Sequence, residues 1–313
     1  MSQNSPLFDS RRVSMALDFD LDERHRTEAS VRAMQMISIS GVQEKFPAVI
    51  EGGKIRMAME GEQSTHILKP APWYAGLSNN RFMPVNEHLT MQIAAQVYGI
   101  TTAPNGLCTT PKGYPVYITR RFDIAPDGRK YPMEDMATLI GRSETDAGTV
   151  FKYHGSYMEI AEAIRRYVEA WMVEMERFFE LVVFNYIYAN GDAHLKNFSV
   201  IRYNGDYRLA PAYDLMNTAM HVRDEDFALS DGLSSHLPPS DAYSRTGHPS
   251  RCDFEWFGKE IGLADIRLCR ILDKYASLPE TTVKMVEGSG LTEKLQRNYL
   301  RIVKERMSRF VRN

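Results

Sequence analysis

Asn190-Gly191-Asp192-Ala193-His194-Leu195-Lys196-Asn197 follows an apolar run, Phe178-Phe179-Glu180-Leu181-Val182-Val183-Phe184-Asn185-Tyr186-Ile187-Tyr188, that reads as a buried helix. Glycine closes a last helical turn in the left-handed conformation without a Cβ penalty, so Gly191 is the expected end of that helix. The chain then leaves the helix carrying Asp192 and, five positions on, Asn197. A short hairpin is expected next: Phe198 to Arg202, a turn at Asn204-Gly205-Asp206, then Tyr207 to Leu209. It leads into Ala210-Pro211-Ala212-Tyr213-Asp214, and the far arm of such a hairpin can return a second carboxylate, Asp214, to face the first loop.

Taken singly, each feature has a plainer explanation. A Gly-Asp after a helix is more often only a turn, and an Asp in Tyr-Asp-Leu is more often a cap than a metal ligand. In the order helix, loop, hairpin and second Asp, they match the spacing used in phosphoryl transfer by protein kinases. There an Asp orients the acceptor hydroxyl, while an Asn and a second Asp hold magnesium. That reading requires an ATP-holding half upstream.

The upstream sequence supplies a candidate. Ahead of it, Thr27 to Gln35 fits a short helix. Ile37-Ser38-Ile39-Ser40 then alternates as a half-buried strand does, and Gly41-Val42-Gln43-Glu44-Lys45 reads as a turn. Strands follow over Phe46 to Ile50 and Lys54 to Met59, joined at Gly52-Gly53. The Gly41 turn could cradle phosphates with successive backbone N–H groups, although most strand-Gly-strand turns bind nothing. Thr65-His66-Ile67-Leu68-Lys69-Pro70 strengthens the case: an apolar strand ends in a lysine, as where kinases reach the ATP phosphates. Asn86 is the expected N-cap of a helix whose Leu89, Ile93 and Val97 share one face. Glu87 either complements that helix's dipole or pairs with Lys69. Val116 to Asp123 reads as a strand ending in a charged-aromatic corner, where an adenine could lie against Phe122.

The remainder is helical in pattern. Glu134-Asp135-Met136-Ala137 opens a short helix, and Tyr157 to Met172 carries Ile160, Ile164, Val168 and Trp171 on one face. Ser234 to Arg251 reads as a loop, and helices are expected over Phe254 to Lys274 and Leu291 to Val311. With 313 residues and a net charge of -2, the chain has material for a large core and lacks the basic excess of a nucleic-acid binder. Cys108, Cys252 and Cys269 are scattered and form no CxxC pair, so reduced thiols and no zinc site are expected. Met1 to Ser10 carries no apolar signal-peptide core and no run approaches a membrane span, so a cytoplasmic protein without membrane contact is expected.

The motifs in this order resemble the HipA-like serine/threonine kinases of bacterial toxin–antitoxin systems. The resemblance rests on Ser38 to Lys45, Thr65 to Lys69, Asn86-Glu87, Arg121-Phe122-Asp123, Asn190 to Ser199 and Ala210 to Asp214. It implies an α+β, two-lobed, protein-kinase-like fold, with a small β-rich N-lobe over residues 1–123 and a larger helical C-lobe over 124–313. It further implies Mg²⁺ and ATP as cofactors, with Asp192 as catalytic base and Asn197 and Asp214 on the metal. His194 and Lys196 would lie near the nucleotide or the transferred phosphate. Ser40, Gly41, Val42, Gln43, Glu44 and Lys45 would form the phosphate loop, with Lys69 on the ATP phosphates and Glu87 beside it. Arg120, Arg121 and Phe122 would be the adenine-side connector, although an acid is usual in the family where Arg120 stands. Ser38 and Ser40 would be autophosphorylation sites that switch the kinase off.

Only some 35 residues precede the glycine turn, so the chain looks closer to the short HipT type, which lacks an N-terminal subdomain. Its partners would be a protein substrate, in the family an aminoacyl-tRNA synthetase, and antitoxin proteins. One antitoxin would be DNA-binding and another a small subdomain-like protein, with DNA met only through an antitoxin. Two rivals stand beside this reading. A small-molecule kinase of the aminoglycoside or choline type also uses Gly-Asp and a downstream Asn, but the paired serines argue against it. A non-catalytic antitoxin-binding corepressor is opposed by the intact Asp192, Asn197, Asp214 and Lys69.

Overall fold

The computed structural model describes residues 6–21, 43–72, 76–238 and 240–311. The expected helix at Thr27 to Gln35, the strand with Ser38 and Ser40, and Gly41 and Val42 lie outside the described residues. The strand expected at Phe46 is β1 (Phe46–Glu51), joined to β2 (Lys54–Met57) through Gly52 and Gly53. Those glycines have φ of 55° and 74°, the two left-handed residues that a two-residue hairpin turn of matching twist needs. β3 (His66–Pro70) pairs with the other side of β1. After α1 (Met83–Gln96), β4 (Asn105–Thr109) and β5 (Pro115–Arg120) complete an antiparallel sheet in the order β2-β1-β3-β5-β4.

Side chains alternate across a strand, and this sheet uses both faces. One face buries Phe46, Ala48, Leu68, Cys108, Val116 and Ile118 against Leu7, Phe8, Leu17 and Leu21. Burial pushes the Cys108 thiol up to about 12, so it packs as an apolar group. On the other face Lys69 stands opposite Tyr117 in the β3–β5 register, its ammonium 5.3 Å from the ring centroid.

A second sheet, β6-β7-β8, forms from β6 (Met133–Asp135), β7 (Ser199–Tyr203) and β8 (Asp206–Leu209). Its hairpin turns at Asn204 and Gly205, at φ 51° and 100°, as the sequence predicts. Between β6 and β7 lie α2 (Met136–Leu139), α3 (Glu144–Ala147), α4 (Tyr157–Tyr167) and α5 (Trp171–Ile187). α6 (Asp241–Thr246), α7 (Arg251–Glu260), α8 (Asp265–Asp273), α9 (Glu280–Glu287) and α10 (Glu293–Ser308) follow β8. α5 runs through the main core with Phe178, Phe179, Val183, Phe184 and Ile187 fully buried. Each such side chain contributes roughly 1.5–3 kcal/mol of burial free energy. Val85, Leu89 and Ile93 of α1 pack into the same cluster. No helix among the described residues is long and apolar enough to cross a membrane.

Several expected boundaries differ. Asn86 is no N-cap: α1 starts at Met83 with Pro84 in its first turn, where the missing N–H costs nothing, and Asn86 is buried inside the helix. Glu134 and Asp135 belong to β6, with Asp135 then capping α2 by accepting from the Thr138 N–H at 2.9 Å. The Tyr157 to Met172 pattern is two helices, since Val168 turns extended while staying buried and so preserves the apolar period across the break. Ser156 and Glu159 form a capping box that marks the true start. Phe254 to Lys274 is likewise α7 and α8, parted at Gly262 with φ 90°. The Ser234 to Arg251 loop contains α6, capped by Ser240 and stopped by Gly247.

Candidate active site

α5 ends at Ile187, and the left-handed residue after it is Ala189 at φ 53°, not Gly191. Gly191 is required for a different reason. A Cβ there would lie 2.3 Å from the Asp224 carboxylate carbon, so any side chain would have to displace that carboxylate from the Thr218 hydroxyl. The Gly191 N–H instead donates to the Thr218 hydroxyl at 2.8 Å, and that hydroxyl sits in donating reach of both Ala189 O and Asp224. Asn190 ties the loop to the second carboxylate strand: its Nδ2 donates to Asn185 Oδ1 at 2.9 Å and lies 3.3 Å from Asp214 O.

One cavity gathers Gln43, Lys45, Lys69, Glu87, Asn190, Asp192, Asn197, Asp214, Met216 and Thr218. Segments far apart in sequence thus converge. Lys69, 2 % exposed, donates to Glu87 Oε1 at 2.6 Å and to Asp214 Oδ1, and Lys45 reaches Asp214 Oδ2 at 3.2 Å. Of the two roles open to Glu87, the ion pair is the one formed. Burial works against the charge on Lys69, yet the Asp214 and Glu87 carboxylates raise its pKa above the ordinary lysine value. Burial likewise opposes the Asp214 charge, and the Lys45 and Lys69 ammonium groups hold that carboxyl well below its usual range. Glu87 moves the other way: burial lifts its pKa, because one ammonium shared with Asp214 does not fully offset its desolvation.

Asp192 accepts a 2.6 Å hydrogen bond from the Tyr153 hydroxyl, a partner that the sequence reading did not find. Tyr153 belongs to the 3-10 turn Gly148–Tyr153, some forty residues upstream, and no local motif announces it. Asn197 Oδ1 accepts from the His194 N–H at 3.1 Å, which closes the loop on itself and leaves the amide oxygen a second acceptor site. His194 is 2 % exposed, and neither ring nitrogen has a hydrogen-bond partner among the described residues. Burial first, then the Lys152 charge, holds its pKa well below the ordinary value, so it is neutral.

The other expected site residues point elsewhere. Lys196 pairs with Asp135 at 2.6 Å and does not line the cavity. Arg120 reaches Asp9 and Pro6 O, Arg121 binds Asp123 and Ser64, and Phe122 packs against Tyr213 at 5.7 Å. Of the phosphate loop, Gln43 and Lys45 reach the cavity. Ser40, Gly41 and Val42 lie outside the described residues, as does Ser38.

The residues fit a nucleotide with a divalent cation on two observations. Gln43 Nε2 is a buried donor without a partner among the described residues, and its side chain lines the same cavity as Lys45 and Lys69, where an anion would be welcome. The candidate cation ligands Asp214 and Asn197 offer hard oxygen donors, and Mg²⁺ typically takes one or two protein oxygens and completes its shell with phosphate and water.

A mixed sheet-and-helix fold with a buried Lys–Glu pair and an Asp/Asn/Asp constellation in one cavity defines a kinase-like protein. The chain belongs to the HipA-like C-terminal domain family, whose model matches residues 37–282. It is 27 % identical over 270 residues to a Sinorhizobium fredii protein named "Putative kinase Y4mE", covering 81 % of this chain and 58 % of that one. To Y4dM of the same organism, similarly named, it is 31 % identical over 225 residues, covering 66 % of this chain and 51 % of the relative. The chain thus spans about half the length of the curated relatives it matches. Among solved structures it superimposes on HipA of Shewanella oneidensis MR-1, determined with HipB and operator DNA. That match has a TM-score of 0.65 and 18 % identity, over 94 % of this chain and 67 % of HipA. The Helicobacter pylori proinflammatory kinase CtkA matches with a TM-score of 0.51 and 15 % identity, over 84 % and 92 % of the two chains. Both likenesses are to kinase-like folds.

Proposed function

We propose that this chain is a Mg·ATP-dependent kinase that phosphorylates a serine or threonine hydroxyl of a protein. One observation carries the reading: Lys69, Glu87 and Asp214 converge on the cavity that holds Asp192 and Asn197. Residues 1–123 would serve mainly to hold nucleotide, and 124–313 to supply the catalytic and metal-binding loops. Lys69 and Lys45 would neutralise phosphate oxygens, with Lys69 kept in place by Glu87. Asp192, steadied by Tyr153, would accept the hydroxyl proton, and Asn190 and Thr218 would hold its loop against Asp214. Asn197 and Asp214 would hold magnesium, which would supply positive charge against the ATP phosphates.

The family adds finer proposals. The acceptor is a protein, with an aminoacyl-tRNA synthetase as the first candidate, and the kinase also modifies Ser38 or Ser40. A phosphoserine there adds roughly −1.5 to −2 charges beside the phosphate site and would oppose ATP. HipA of Shewanella was captured with HipB and DNA, which supports an antitoxin partner for this chain, with DNA reached through it. Incubating the pure protein with labelled Mg·ATP and a bacterial lysate tests the central claim. Label on a protein acceptor, or on Ser38 or Ser40 by phosphopeptide mass spectrometry, supports it. No label on any protein, from a folded preparation, overturns it.

A further inference from the structure

The lysine of the catalytic segment, Lys196, is already matched to Asp135, so its charge is largely spoken for at the site. Lys45 and Lys69 are both committed to Asp214. A fourth lysine is not. Lys152 is half-buried in the turn Gly148–Tyr153 and has no carboxylate partner among the described residues. Its ammonium lies 5.1 Å from the centroid of the Tyr153 ring. The hydroxyl of that same ring donates to Asp192 at 2.6 Å, and its edge meets the His194 ring at 5.1 Å. Lys152 therefore stands one aromatic ring away from the candidate catalytic base. A lysine ammonium on four rotatable carbons can sweep that distance.

We propose that Lys152 is a further catalytic residue, a cation that contacts the phosphoryl group in transfer from the Asp192 side. This rests on the kinase reading above. In the reaction, the acceptor hydroxyl oxygen forms a bond to the γ-phosphorus and the bond from that phosphorus to the bridging oxygen of ADP breaks. The hydroxyl proton passes to Asp192, and Lys152 keeps its own proton throughout. Charge on the transferring group spreads over its three equatorial oxygens, so a cation beside the catalytic base stabilises it in addition to those that hold ATP. Lys45 and Lys69 are held on Asp214, where the proposed metal and ATP phosphates would lie. Burial lowers the Lys152 pKa, and the attraction of Asp192 offsets this only in part. An arriving phosphate would supply the missing counter-charge. Tyr153 acts as a positioning residue: one short turn of chain carries both the Lys152 ammonium and the ring whose hydroxyl holds the base.

The test compares wild type with Lys152→Met and Lys152→Arg in three readouts. These are thermal melting, Mg·ATP affinity by calorimetry, and kcat and KM for labelled phosphate transfer to serine/threonine peptides and to water. Lys152→Met should melt like wild type and bind Mg·ATP within about threefold, while kcat falls about 10²-fold, the usual loss for one preorganised charge-stabilising group. Lys152→Arg should recover most of that loss. If Lys152→Met does not fold, Lys152→Gln carries the same comparison. Equal kcat in the wild type and a charge-removing variant overturns the role of Lys152 and leaves the kinase reading standing. An equal fall in the Met and Arg variants, with a shifted melting temperature, marks a structural lysine and also overturns it. A wild-type protein that binds no Mg·ATP, or transfers phosphate to none of these acceptors, overturns the kinase reading and this proposal together.

Discussion

Asp214 sits at φ 57°, in the left-handed region that aspartate tolerates better than most residues with a side chain. That backbone turn lies where the carboxylate meets both Lys69 and Lys45. Asp214→Asn keeps the size and the left-handed tolerance but removes the charge. Mg·ATP affinity should then lose its dependence on magnesium, measured by calorimetry with the metal and with EDTA. Wild-type affinity that is the same in both conditions would reduce Asp214 and Asn197 to turn formers. Asp192→Asn preserves an oxygen for the Tyr153 hydroxyl, so the fold should hold while phosphate transfer drops roughly 10²-fold or more. Undiminished transfer by the folded variant would remove Asp192 from the mechanism.

At the scale of elements, the site depends on how α1 is joined to the segment that follows Asp214. Asn86 Nδ2 lies 2.8 Å from both Asn217 O and His221 Nε2, and its Oδ1 accepts from the Asn217 N–H at 3.2 Å. His221 Nδ1 lies 2.9 Å from Ser78 O, which fixes the neutral tautomer with its proton on Nδ1. The next residue on α1 is Glu87, so this clasp sets where the Lys69 partner stands. Asn86→Ala strands the buried Asn217 and His221 groups, a cost of about 1–3 kcal/mol per orphaned group. Urea unfolding should show that loss, with weaker ATP binding because Glu87 is no longer held. A stability unchanged within error would mean that water replaces the clasp at no cost. The sequence already indicated Lys69, Glu87, Asp192, Asn197 and Asp214, because each belongs to a short motif whose spacing is local. Asn86, Tyr153, Thr218 and Lys152 are illegible as site residues, since each reaches the site across more than twenty-five residues and is ordinary in its own neighbourhood. Asn86 looked like a cap only because Asn is a good one, and Pro84 two residues earlier was the better marker of the helix start. Gly191 does not end the helix as its sequence context suggests, and the close approach of Asp224 that favours glycine there has no local signature.

For the whole molecule, the buried histidines make stability depend on pH. His221 is 2 % exposed, and burial lowers its pKa to about 4. In the unfolded chain it returns to about 6.5, so between these values the unfolded state binds the proton and the folded state does not. The contribution is therefore complete above about pH 6.5 and drains away as the pH falls towards 4. For this one group the full loss is roughly 3 kcal/mol. His66, His88 and His194 are also lowered, chiefly by burial, and act with the same sign. Asp214, held low by its two lysines, adds a further loss at more acidic pH, while the raised Glu87 works in the opposite direction. The net expectation is a melting temperature several degrees lower at pH 5 than at pH 7. His221→Gln separates this histidine from the others, because glutamine can still donate to Ser78 O and accept from Asn86 without titrating. Its melting temperature should fall less between the two pH values than that of the wild type. A wild-type melting temperature that does not change between pH 7 and pH 5 would mean that these histidines take up protons in the folded state, and the buried clasp beneath the site would then be open to water.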